Sequence, residues 1–247
     1  MESWNSKMWN STSGLLLWMS HPAWPSMVWQ IYSWDYETFG SFYGCRKACE
    51  PIHIQKNLDD QKVVVVNTSL KEIKGAKVIY EVYSLEGKSL FKRTSKLNVL
   101  ANGLTECFVQ DKPISASGVY MERLILQDKR GKVISINDYW QDNGEGDFQG
   151  FNALEEASIN CKLIRQEKSQ IQIELQNTGA MPALALKLNV READTDKRIL
   201  PAYASDGYFN LLPGEKRTVT VEYVSRGKVA ISAEGYNLKR SRLLTLK

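Results

Sequence analysis

Residues 171 to 176 read Ile-Gln-Ile-Glu-Leu-Gln, and residues 184 to 191 read Leu-Ala-Leu-Lys-Leu-Asn-Val-Arg. Ile171, Ile173 and Leu175 alternate with polar neighbours, and Leu184, Leu186, Leu188 and Val190 do the same. Successive strand side chains point to opposite faces, so such a segment has one dry face and one wet one. A dry face needs a second layer to cover it. Adding 158–164, 216–224, 227–236, 240–246 and a short strand near 208–211 gives about seven strands, an immunoglobulin-like β-sandwich over 154–247.

The period of two continues toward the N-terminus. It predicts strands over 52–55, 62–67, 76–83, 88–98, 104–109, 119–127 and 132–140. Turn residues separate them: Leu-Glu-Gly at 85–87, Ala-Asn-Gly at 101–103 and Asp-Lys-Arg-Gly at 128–131. These seven make a first immunoglobulin-like sandwich over 51–140. The polar, glycine-rich run that starts at Gln141 cannot build a core, so 141–153 is expected to be a linker.

The first fifty residues follow another plan. A helix is expected over 2–10, with Trp4, Met8 and Trp9 on one side. Leu15 to Met19 is a continuous apolar run, which reads as a strand buried on both faces. An irregular stretch with Pro22 and Pro25 follows, then a helix over 38–49 halted by Pro51. Helix, buried strand, loop, helix is the repeating unit of an α/β barrel cut down to one copy. The segment is too apolar to be a free tail, and it is expected to pack on residues 51–140.

Composition narrows the function classes. The chain has 247 residues, 43% hydrophobic and 24% charged, with a formal net charge of +4. Its cations are scattered among acids, which excludes the concentrated basic patch of a nucleic-acid binder. The apolar runs fall short of the ~20 residues of a membrane span. Cys45, Cys49, Cys107 and Cys161 lack metal-site spacing, read as buried thiols, and leave metals and cofactors without a signature. The start Met-Glu-Ser-Trp-Asn has no signal-peptide pattern, so the chain as written is expected in the cytoplasm. Asn10-Ser-Thr and Asn67-Thr-Ser match the glycosylation triplet, which matters only on export.

In a barrel the strand C-termini and the loops after them carry the site. Here that position holds Trp18, Met19, Ser20 and His21, then Trp24-Pro-Ser26. An indole face suits the C–H face of a sugar, and its N–H reaches a hydroxyl, so Trp18 can floor a carbohydrate subsite. Residue type alone favours a core role for Trp24, Trp29 and Trp34. His21 either orients a substrate or caps the loop.

Gly14-Leu-Leu-Leu-Trp-Met with Ala23-Trp-Pro-Ser, and Tyr43-Gly-Cys-Arg-Lys-Ala-Cys-Glu-Pro-Ile-His-Ile-Gln, resemble the last barrel strand, last barrel helix and domain junction of glycoside hydrolase family 2. Val65-Val-Asn67, Tyr139-Trp140, Phe151-Asn-Ala-Leu154 and Ser205-Asp-Gly-Tyr-Phe-Asn-Leu-Leu-Pro-Gly-Glu215 fit its branch of exo-β-D-glucosaminidases and mannosylglycoprotein endo-β-mannosidases. That branch usually has Asn where this chain has Gly207, a change expected to matter little in a turn.

The resemblance implies the last two sandwiches of a five-domain retaining glycosidase, preceded over 1–50 by the end of its catalytic barrel. It also implies that Trp18, His21, Trp24 and Ser26 are the remnant of a sugar subsite. Retention requires two carboxylates about 5 Å apart, and in the family both glutamates precede the final strand. Glu2, Asp35 and Glu37 read as ordinary helix-entry acids, leaving no catalytic residue to name. The expectation is a glycosidase fragment inactive alone, whose intact form acts on β-linked glucosamine or mannose glycans. Self-association through the tryptophan-rich remnant is also expected. The alternative is a tandem immunoglobulin-like module that binds carbohydrate or protein, with Tyr203, Tyr208 and Phe209 as its aromatic cluster.

Overall fold

Alternation in sequence becomes alternation in burial. Every second residue from Ile171 to Asn177 is buried, with Ile171, Ile173 and Leu175 wholly removed from solvent. The computed structural model describes residues 1–26, 30–110, 118–142, 144, 146–224 and 227–246. These form two compact units, one of Met1–Leu17 with Gly44–Ala153 and one of Trp18–Tyr43 with Leu154–Lys247. The protein is mainly β, and its described residues form four antiparallel sheets in two immunoglobulin-like sandwiches. No helix among the described residues is long and apolar enough to cross a membrane.

Two helices, α1 (Glu2–Asn5) and α2 (Gly40–Ala48), precede the strands of the first unit. These are β1 (Ile52–Lys56), β2 (Lys62–Asn67), β3 (Ile73–Ser84), β4 (Ser89–Val99), β5 (Gly103–Val109), β6 (Tyr120–Gln127) and β7 (Val133–Gln141). They pair as β1-β2-β5 and β4-β3-β6-β7. Val63 and Val65 of one sheet meet Val78, Tyr80, Val82, Leu124 and Leu126 of the other in one core. A 3-10 turn over Gln149–Ala153 closes the unit, with Phe151 edge-on to Trp140 and stacked with Phe148.

The second unit holds β8 (Ile159–Gln166), β9 (Gln170–Asn177), β10 (Ala183–Glu192), β11 (Ala202–Ala204), β12 (Phe209–Leu211), β13 (Lys216–Tyr223), β14 (Val229–Gly235) and β15 (Leu238–Leu246). They pair as β12-β10-β14-β15 and β11-β13-β9-β8. The strict alternation expected over 184–191 is broken. Ala185 has a left-handed backbone, φ 51°, and the register with β12 shifts between Ala183 and Leu186. This bulge puts Ala183 and Leu186 into the core with Ile173 and Ile231, and leaves Leu184 outside it.

The same clamp closes both sandwiches. At the end of β2, the buried Asn67 donates to the carbonyls of Lys71 and Leu100 at 2.9 and 2.8 Å and accepts the Ser69 N–H at 3.0 Å. At the end of β9, Asn177 donates to Met181 and Leu211 at 2.8 and 2.9 Å and accepts the Gly179 N–H at 3.0 Å. The threonine after each asparagine donates its N–H back to the residue before the unit's first strand, Thr68 to Pro51 and Thr178 to Ser158.

The N-terminal segment departs from expectation. Helix α1 is one turn long instead of spanning 2–10, and Leu15 to Met19 is irregular and exposed instead of a buried strand. Leu16 is 97% exposed, Trp18 77% and Trp24 68%, and Trp4, Trp9 and Trp34 are also exposed. A strand buried on both faces needs a neighbour at ~4.8 Å on each side, and the described residues supply none to this run. Trp29 lies outside the described residues. Residues 2–5 are nonetheless held to the first unit, by polar contacts: Asn5 donates to the Ala48 carbonyl at 2.6 Å, and Gln55 donates to the Glu2 carbonyl at 3.0 Å. The thiols are free; burial pushes Cys107 up to about 12 and Cys161 to about 11, whereas Cys49 is exposed instead of buried.

Gly207 also differs from its reading as a neutral change. A Cβ there would lie 2.7 Å from the Tyr43 ring, which packs partly buried against the core of the second unit. Gly207→Ala should therefore destabilise the second unit by about 1–3 kcal/mol through overpacking, read as a lower melting temperature. An unchanged melting temperature would show that the Tyr43 ring moves aside freely. Asn177→Ala, which strips three hydrogen bonds from buried backbone, should cost about 2–4 kcal/mol, and a denaturant midpoint within error of the parent would contradict the clamp.

Candidate functional site

The aromatic segment of the second unit is built from its turns outward. The Ser20 carbonyl accepts N–H groups from Ile31 and Tyr32, both at 3.1 Å. A small hairpin follows, with Tyr32 bridged to Thr38, the Ser33 N–H on the Glu37 carbonyl at 2.9 Å, and the Tyr36 N–H on the Ser33 carbonyl at 3.1 Å. The Tyr36 backbone takes the left-handed region, φ 65°. This orientation puts its ring flat against His21, with centroids 4.5 Å apart and planes 15° from parallel. His21 Nε2 lies 3.2 Å from the Trp34 carbonyl, so that nitrogen carries the proton.

Charge fixes the hairpin to the sandwich. Glu37 binds Lys187 of β10 at 3.0 Å and also pairs with Arg198, which reaches Asp35 at 3.0 Å. Lys187 is shared with Glu234 of β14, also at 3.0 Å, and its ammonium lies over the Tyr208 ring. Burial works against the Lys187 charge, yet hydrogen bonds to Glu234 and Glu37 outweigh it and raise its pKa. Burial likewise opposes ionisation of Asp35, but the Ser33 hydroxyl and the Arg198 guanidinium hold its carboxyl below the usual range. Thr38 Oγ1 and the Tyr43 hydroxyl, 3.0 Å apart, join the hairpin to α2. The cavity beneath, of about 30 Å³ and lined by Glu37, Tyr43, Lys187 and Arg198 among others, has room for a water and none for a sugar ring.

The expected site residues are only partly assembled. His21 joins Trp34 and Tyr36; Trp18 and Trp24 present their indoles to solvent, and Ser26 is half-buried. Tyr36, the ring that orients His21, carries no signal in the sequence beyond its place among other aromatics. Asp35 and Glu37 are not helix-entry acids: α2 begins at Gly40, and basic residues more than 140 positions later hold both carboxylates. Glu2 does open α1, as an entry acid would, but its carboxylate is also bound elsewhere. Its carboxylate lies 2.8 Å from His53 and accepts from Asn137 and Tyr139 at 2.6 and 2.9 Å. A general acid needs a raised pKa at a reacting bond; Glu2, Asp35 and Glu50 are all shifted downward. Among the described residues no three His, Cys, Asp or Glu side chains gather as metal ligands.

Comparison with known proteins identifies what the chain is similar to. Residues 137–238 match the family model described as the exo-beta-D-glucosaminidase Ig-fold domain. An exo-β-D-glucosaminidase of Arthroderma benhamiae is 26% identical, covering 94% of this chain and 28% of its own length. A mannosylglycoprotein endo-β-mannosidase of Lilium longiflorum is also 26% identical, over 96% of this chain and 32% of its own. The solved exo-chitosanase of Amycolatopsis orientalis superimposes with a TM-score of 0.86 at 26% identity, covering 98% of this chain and 32% of that one. The chain thus spans about a third or less of the length of these relatives.

Glu37 is the joint of the hairpin, since it binds both Lys187 and Arg198. Glu37→Gln should raise amide hydrogen exchange over 31–38 and lower stability by about 1 kcal/mol, the scale of partly exposed ion pairs. The gap from the parent should shrink at high salt. Unchanged exchange over 31–38 would show that the hairpin does not depend on these pairs.

Proposed function

We propose that this chain, homologous to the C-terminal part of the exo-β-D-glucosaminidases and endo-β-mannosidases of glycoside hydrolase family 2, serves a retaining glycosidase that acts on β-linked glucosamine or mannose glycans. The supporting observation is the colinear match over 98% of the chain to the exo-chitosanase structure, which takes in the aromatic segment as well as both sandwiches. In this reading residues 51–140 and 154–247 are the two sandwich domains, 141–153 joins them, and 1–50 are the end of a catalytic barrel. Trp18, His21, Trp24 and Ser26 line one side of the sugar subsite, with indole faces for the ring and His21 held by Tyr36 and Trp34. The two carboxylates that retention needs come from elsewhere in the barrel, because Asp35 and Glu37 are occupied by Arg198 and Lys187.

The purified 247-residue chain should accordingly release no aryl alcohol from an aryl β-glucosaminide or β-mannoside above the uncatalysed rate. Turnover that survives repurification and disappears in Asp35→Asn or Glu37→Gln would overturn the assignment of the carboxylates.

A second reading, a carbohydrate-binding module without catalysis, is favoured by the exposure of Trp18, Trp24, Trp34 and Tyr36 within one short stretch. Titration with chitosan oligosaccharides, followed by tryptophan fluorescence, separates the two. Saturation below the millimolar range, about −4 kcal/mol, that is lost in Trp18→Ala would favour the module. Weaker or absent binding would favour a partial subsite.

A further inference from the structure

His53, the second residue of β1, is wholly buried, with 0% of its surface exposed. Both ring nitrogens face carboxylates. Nε2 lies 2.8 Å from Glu2 Oε1, on α1, and Nδ1 lies 3.3 Å from Glu50 Oε2, between α2 and β1. A neutral imidazole always has one nitrogen with a lone pair and no hydrogen. In this position that lone pair would point at a carboxylate oxygen whichever tautomer formed. Only the imidazolium donates to both.

We propose that Glu2, His53 and Glu50 form a proton-dependent clasp that fastens α1 to the first sandwich, closed while His53 carries both protons and released when it loses one. The other groups facing the clasp do not substitute for that proton. From α2, Lys47 binds the second oxygen of Glu50 at 2.7 Å. From β7, Ser135 donates to Glu50 at 2.7 Å, and Asn137 and Tyr139 donate to Glu2; the Asn137 amide nitrogen also lies 3.4 Å from His53 Nε2, but its shorter contacts, at 2.6 and 2.8 Å, are to Glu2 and the Tyr139 hydroxyl. The Tyr139 hydroxyl also accepts the Lys56 N–H of β1, and Lys56 in turn is paired with the buried Glu122 of β6 at 2.8 Å, which takes the Tyr80 hydroxyl of β3. Tyr139 is pushed far up by burial and by Glu2, so it stays protonated where His53 titrates. Outside the clasp, Lys7 and Asp59 form an exposed pair at 2.9 Å, a second tie without a histidine.

The sign follows from the shifts. Burial opposes the His53 charge, but hydrogen bonds to Glu2 and Glu50 outweigh it and raise its pKa above 6.5. Its contribution is therefore complete below about 6.5 and is lost as pH climbs through the raised value. Burial opposes Glu50 as well, but His53, Lys47 and Ser135 bring it down to about 2. That contribution is complete above 4.5 and is lost as pH falls toward 2. The clasp is tightest between these limits.

The chain has two histidines, His21 and His53, so long-range proton–nitrogen spectra of the intact protein resolve both imidazoles. The expected result is that His53 shows two protonated nitrogens at pH 6 and titrates above the ordinary imidazole value of 6.5. Protection factors for the amides of Trp4, Asn5 and Ser6, which α1 and its cap bond internally, should fall about tenfold or more across that titration, the equivalent of one pKa unit. Amides of β9 and β13 should not change. In Glu2→Gln the His53 titration should move down and the pH step at residues 4–6 should vanish. A neutral His53 at pH 6, or protection of residues 4–6 that ignores the His53 titration, would overturn the proposal. The first of these readings needs no variant to fold.

Discussion

A β-sandwich can bury its two inner faces only if the backbone at the ends of its strands, where the ladders stop, still finds partners. Asn67 and Asn177 meet that requirement at the same place in their respective units. Each side chain uses both amide hydrogens and its oxygen on main-chain groups at or beyond the strand ends. The turn after the second strand is thereby tied to a later segment of the same unit, Leu100 in the first and Leu211 in the second. The valines of β2 and the isoleucines of β9 can then lie in closed cores. The following Thr68 and Thr178 tie that turn to the entry of the first strand. Two sandwiches of unlike sequence close with one device.

Apart from the Tyr43 ring, what attaches the described part of the N-terminal fifty residues is mostly polar. Glu2, Asn5 and Glu50 hold their part through His53, Gln55 and the Ala48 carbonyl, and Asp35 and Glu37 hold the hairpin through Arg198 and Lys187. Among the described residues, the tryptophans and leucines of the same segment are exposed. Ionic anchors fix position without covering apolar surface, so Trp18 and Trp24 stay available to another molecule while the hairpin that orients His21 remains in place.

The strands were legible because burial on one face imposes a period of two that any reader of the chain can see. Of the second unit's strands, only the three-residue β11 at 202–204 had no expectation, being too short to show a period. The bulge at Ala185 was hidden because it inserts one residue into an otherwise regular alternation. The run Leu15 to Met19 was misread for the opposite reason: its apolarity is real, but a buried strand is a property of its neighbours as much as of itself. The ion pairs were out of reach. Glu2 and His53 are 51 positions apart, and Glu37 and Lys187 are 150; neither acid differs in its local sequence from one that faces water. Gly207 looked neutral because a turn tolerates glycine, and its packing against Tyr43 is visible only in three dimensions.

Asn67 carries a consequence for how this protein can be made. Its triplet, Asn67-Thr-Ser, is an acceptor for N-linked sugar in any compartment that glycosylates nascent chains. In the folded unit its side chain is 1% exposed and both amide hydrogens are committed. Sugar can be added there only before the sandwich closes, and a chain so modified could no longer make the clamp. In a eukaryotic secretory host, folding of the first unit and glycosylation of Asn67 are mutually exclusive fates of the same newly made chain, and a glycan at this position would identify molecules that had lost the race.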